Sequence, residues 1–166
     1  MKAWLLLVLL ALPAMAAPPL AGLRPVGQAQ LHWLWFKLYD ATLYSADGRY
    51  RPAARPLALS LHYARDIDRD DLLAATREEW QRLGQVPARH QAAWLAQLAA
   101  IWPDIRAGDR LTLYVDPSGA SQFWLGSRVL GEVAQPEFAP AFLAIWLDER
   151  SRDPALTRQL RGEVIP

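Results

Sequence analysis

Cysteine is absent from the 166 residues, which excludes disulfide staples, lipid attachment through a cysteine and thiol catalysis. Lysine is nearly absent as well: Lys2 and Lys37 are the only two, and arginine supplies the rest of the positive charge. Charge of one sign is not in excess either. The formal net charge is +1, and close to neutral once Lys2 is set aside, so the chain as a whole has no electrostatic reason to seek nucleic acid or an acidic membrane surface. Long hydrophobic runs are missing too, since the stretch from Ala3 to Leu12 falls short of the roughly 20 residues that span a bilayer. Lys2, the apolar stretch Trp4 to Leu12 and the small-x-small step Ala14-Met15-Ala16 instead have the form of a secretory signal peptide. Residues 1–16 are therefore expected to be removed, leaving 17–166 as a single periplasmic or secreted domain with no transmembrane anchor.

Recognisable catalytic and metal-binding patterns are lacking in the same way. His32, His62 and His90 are scattered, with no HExxH and no short His-x-His, so no metal is expected. Ser60, Ser121 and Ser127 lie in no G-x-S-x-G elbow. Gly126 and Gly131 read as turn residues and not as a phosphate cradle, and no cofactor is expected.

What is present is periodicity. In LHWLWFKLYDATLY, Leu31 to Tyr44, odd positions Leu31, Trp33 and Trp35 share one side of an extended chain, and Tyr39, Ala41 and Leu43 continue the alternation. Gln28 to Tyr44 reads as two consecutive strands or one long bent one, after a proline- and glycine-rich lead-in from Ala17 to Pro25. Ser45 to Arg55 is a turn region, and Pro56 to Tyr63 is a strand with one apolar face. The period then changes. Asp68 or Asp70 can cap a helix carrying Leu72, Leu73, Thr76, Trp80 and Leu83 before Gly84, and a second helix runs from Ala88 to Trp102, stopped by Pro103. Leu111–Val115, Gln122–Leu125 and Arg128–Val133 form a meander, followed by a helix from Pro136 to Leu147 and a short one opened by Asp153-Pro154 and ended by Gly162. Connections too short for crossovers make the strands antiparallel, so the chain is of the α+β class: a curved antiparallel sheet with helices laid across one side, and any pocket between them. The tryptophans beyond Trp4 all sit on these elements and are expected mostly in the core.

Several segments in this order resemble the chalcone-isomerase-like family of exported bacterial proteins: Gly27-Gln28-Ala29, FKLYDATLY, LHYARDI, WQRLG, Trp102-Pro103-Asp104-Ile105 with AGDRLTL, FWLGSRVLGEV and FAPAFLAIWLD. The resemblance implies an open-faced β-sandwich, a large antiparallel sheet covered by helices with a ligand cleft between. It also implies that an arginine, a threonine and a tyrosine polarise a chalcone carbonyl in the plant enzymes, while non-catalytic relatives hold fatty acids in the same cleft.

Those catalytic residues do not carry over. Gln30 stands where the arginine would be, Tyr39 where the threonine would be, and Asp68, an anion at neutral pH, where the tyrosine would be. Arg65, beside Asp66, could grip an acidic head group or form a salt bridge that orients the strand-to-helix turn. Trp80, with Trp33 or Trp35, could line an apolar cleft or fill the core. The expectation is a non-catalytic binder of a small apolar or amphipathic, fatty-acid-like molecule held by Gln30, Tyr39, Arg65 and Trp80. One alternative is an intramolecular lyase acting on a chalcone-like or other enone substrate, with Tyr39 and Arg65 donating to an enolate oxygen. The other is an interaction module without a ligand pocket, whose signature would be a filled cleft.

Overall fold

Alternation of apolar and polar residues becomes six antiparallel strands in the computed structural model, which describes residues 19–163. The expected signal peptide and its cleavage point lie outside those residues. The strands are β1 (Arg24–Trp33), β2 (Phe36–Ser45), β3 (Leu57–Tyr63), β4 (Arg110–Val115), β5 (Ser121–Leu125) and β6 (Arg128–Val133). They lie side by side in sequence order, each antiparallel to the next. β1 starts at Arg24, ahead of Gly27. It is an edge strand, where Pro25 can be accommodated without its missing N–H.

The 28–44 stretch is two strands, and the break falls at Leu34-Trp35. This turn corrects the placement of its aromatics. Trp33 is 71% exposed and Trp35 78% exposed, because the hairpin reverses at the end of the sheet instead of running on beneath the helices.

The β3-to-β4 connection is a helical hairpin, α1 (Arg69–Leu83) and α2 (Ala88–Ile101), and α3 (Phe138–Leu147) and α4 (Pro154–Leu160) follow β6. Asp68 occupies the N-cap position of α1, yet its side chain makes no cap bond. Its carbonyl accepts the Asp71 and Leu72 N–H groups, while the Asp104 carboxylate, brought from the α2–β4 connection, accepts the Arg69 N–H at 2.9 Å. The neighbouring Ile67↔Ile105 bridge holds those two connections together. Gly84 ends α1 at φ 67°, a left-handed turn natural to glycine, with its N–H on the Trp80 carbonyl. α3 starts at Phe138 and not Pro136, since the Phe138 N–H still closes a turn onto the Gln135 carbonyl. Asp153 caps α4 by accepting the Leu156 N–H, with Pro154 in the first turn.

One sheet face is apolar from edge to edge. Cross-strand partners Tyr39, Tyr63 and then Ala41, Leu61, Leu111 and Leu43, Leu59, Leu113, Phe123 run across it in register. Trp80, Leu98, Phe138, Phe142 and Leu160 come down onto it from the helices. The opposite face is polar, with Ser60 and Thr112 hydroxyls 3.1 Å apart and Ala58 flanked by Tyr44 and Tyr114. α4 closes the β1 edge: a Cβ on Gly27 would stand 2.0 Å from the Gln159 carbonyl oxygen, so only glycine lets helix and strand approach this closely.

Candidate functional site

Tyr39 projects from β2 onto the helix-covered face, where its hydroxyl accepts the Trp146 indole N–H at 2.8 Å and its ring meets Tyr63 edge-on at 5.4 Å. Burial pushes the Tyr39 phenol far above the usual tyrosine range, so it stays protonated. Trp80 is fully buried on α1, with its indole N–H on the Ala141 carbonyl at 3.0 Å. Gln30 is exposed and pairs with Asp40, which places it on the face opposite Tyr39. Arg65 is exposed beyond β3, with its guanidinium 4.7 Å from the Phe36 ring centroid. The four therefore share no common space: Tyr39 and Trp80 both brace α3 from within, while Gln30 and Arg65 face solvent. Nor does Arg65 pair with its neighbour. Asp66 turns to Arg106 and accepts the Ala107 N–H at 2.8 Å.

The layer between sheet and helices is occupied by rings. Trp80 and Trp94 meet Phe138 edge-on, Phe138 stacks on Phe142 at 5.3 Å, and Phe123 links Phe142 to Trp102. Edge-to-face contacts of this kind add directional stabilisation to the area they bury.

A concavity opens instead where the β2–β3 connection meets α3. Its volume is about 430 Å³, within the range of small-molecule sites. Leu57 from the sheet and Leu143, Ala144 and Leu147 from α3 line it, and Tyr50, Arg55, Arg150 and Arg161 stand around it. Leu57, Leu143 and Leu147 are only 1%, 3% and 4% exposed, so they form the groove's buried floor, and its open apolar surface comes from Pro52, Pro140, Ala144 and the Tyr50 ring.

The charges at the rim differ in how they are satisfied. Asp148 accepts Arg150 N–H groups at 2.8 and 3.0 Å and the Gln85 amide at 2.9 Å, and the Arg150 contact above all pulls its carboxyl down to about 2. Arg161 donates to the Leu147 carbonyl, lies over the Tyr50 ring at 5.2 Å and reaches Glu163 and Glu149. Arg55 is different. It donates only to the Ala54 and Pro52 carbonyls, makes no ion pair among the described residues, and is desolvated enough to lower its proton affinity. A guanidinium remains charged even so, and a partly desolvated cation without a counter-charge is a receptor for an anion. Sequence reasoning missed Tyr50, Arg55 and Arg161, since the first two lie in a segment read as a turn. The available signal was an aromatic and several arginines in a long connection, where binding groups often reside.

Comparison with known proteins agrees with this architecture. A protein of Haemophilus influenzae, itself uncharacterised, is 31% identical over 148 residues, covering 89% of this chain and 72% of its own. The crystal structure of an Arabidopsis thaliana fatty-acid binding protein superposes with a TM-score of 0.68 over 90% of this chain and 91% of that one, at 11% identity, a likeness of fold alone. The pattern of the family described as chalcone isomerase-like matches residues 26–162, from the first strand to the end of the last helix. By that match and the fold beneath it, the chain belongs to the chalcone isomerase-like family.

Proposed function

We propose that this protein is an exported binder of a small amphipathic anion, a fatty-acid-like carboxylate whose apolar chain lies along Pro52, Pro140 and Ala144, over the buried Leu57, Leu143 and Leu147, and whose head group meets Arg55. The observation that carries the reading is Arg55, half-buried and in no ion pair among the described residues, on a groove whose lining is part apolar and part charged. The fold it shares with a fatty-acid binding protein is consistent with such a ligand. Catalysis is not part of the proposal. Tyr39 already receives the Trp146 N–H, and Gln30 and Arg65 lie away from it, so no set of donors surrounds a developing enolate. Export through removal of residues 1–16 to the periplasm belongs to the same proposal, and an intact mass beginning at Ala17 in the periplasmic fraction checks it.

Native mass spectrometry of gently purified protein, followed by titration with a fluorescent fatty acid, tests the binding. Arg55→Gln should weaken carboxylate binding by about 10-fold or more, the scale of a charge-assisted hydrogen bond, while binding of the corresponding alcohol changes little. Preparations without adduct together with no uptake of acyl chains of any length would overturn the proposal. That outcome would favour an interaction module without a ligand site, a reading to which the ring-filled interior lends its own support.

A further inference from the structure

Of the large apolar side chains exposed among the described residues, all but Val129 are consecutive: Trp33, Leu34, Trp35 and Phe36 are 71%, 67%, 78% and 47% exposed. They form the apex of the β1–β2 hairpin, at the end of the sheet opposite the one where β3 begins with the groove residue Leu57. Leu34 sits at φ 56°, in the left-handed region where glycine or asparagine would serve at lower cost. An apolar residue is thus held in a disfavoured conformation with two-thirds of its surface open to solvent. A solubility-driven turn would carry Asn-Gly here.

We propose that this hairpin tip is a bilayer-docking element, which inserts its indole and phenyl rings into the interfacial region of a lipid membrane. Two tryptophans flanking a leucine suit that region, because indole combines a large apolar body with an N–H that stays among head groups. The area argues against a protein partner on the tip alone. The four side chains offer on the order of 500 Å², by the usual size of such residues, below the roughly 800 Å² per partner of a standard interface. Arg65, over the Phe36 ring at 4.7 Å and in no ion pair among the described residues, is placed to meet a lipid phosphate as the rings enter. With a formal net charge of only +1, the apolar tip drives the association and charge only assists it.

The test is flotation with mixed phosphatidylethanolamine–phosphatidylglycerol vesicles, together with tryptophan quenching by lipids brominated along the acyl chain. It uses protein as recovered from the producing cell, with its N-terminus fixed by intact mass. The natural protein should float and be quenched. The double variant Trp33→Ser/Trp35→Ser should lose association by 10-fold or more, and Arg65→Gln by a few-fold. Leu34→Asn separates function from folding: it should melt no lower than the natural protein, because asparagine accepts the left-handed turn, while binding vesicles several-fold more weakly. Arg55→Gln should bind vesicles as the natural protein does, so failure of the groove proposal leaves this one standing, and the reverse. Failure of the natural protein to associate, equal association by the tip variants, or a concentration-dependent dimer abolished by Trp35→Ser would each overturn it.

Discussion

Trp146 and Tyr39 meet from opposite layers of the molecule, helix above and sheet below, through one buried hydrogen bond. Tyr39→Phe keeps the ring's contact with Tyr63 but leaves the Trp146 N–H without its acceptor, so the cost should be that of a stranded donor, about 1–2 kcal/mol in urea unfolding. Trp146→Phe in the same background should add less than it does alone, since the partner is already gone. A tyrosine acting as donor to a substrate would show itself instead by loss of turnover in the same variant. Residue identity alone did not distinguish these roles. A tyrosine in an alternating strand reads as inward-facing, but what it meets there was settled by a helix more than a hundred positions later in the chain.

Among the elements, β1 shows most clearly how local sequence and tertiary contact divide the work. Its alternation is plain, and its hairpin partner follows directly in the chain. Its outer edge is different, because α4 comes to rest where Gly27 has no side chain. Gly27→Ala would thrust a methyl against the Gln159 and Leu160 carbonyls, backbone atoms that move only with the whole helix. The expected loss is about 3 kcal/mol, with hydrogen-exchange protection falling first in α4 and β1. α1 repeats the lesson at its start. Asp68 sits at the position the helix pattern assigns to a cap, yet the capping carboxylate is that of Asp104, since the Ile67↔Ile105 bridge brings the later connection alongside.

At the scale of the whole molecule, stability should depend on acid through carboxylates held below their ordinary values, among them Asp40 by Lys37, Asp116 by Ser118 and Asp148 by Arg150. A depressed native value means that each contributes fully above its unfolded value, with the contribution lost as pH falls toward the native one. For Asp148 the window runs from 3.8 down to about 2. Its share should be about 1–2 kcal/mol after allowance for solvent screening. Unfolding followed from pH 5 to pH 2 should therefore steepen below about pH 4, and Asp148→Asn should flatten that slope while lowering stability at neutral pH. The α+β layout, the antiparallel strand runs and most helix limits were legible in the chain, because periods of two and of about three and a half residues are imposed by the geometry of strand and helix on any sequence with one buried face. The sequence by itself thus determined which residues form elements and which faces those elements bury. Only the tertiary structure decided that Trp33 and Trp35 stand in solvent, that rings fill the layer between sheet and helices, and that Arg55 lies on a groove with no ion pair among the described residues. Those outcomes depend on where separate elements end relative to one another, and a periodic pattern records which way a side chain faces but not what lies opposite it.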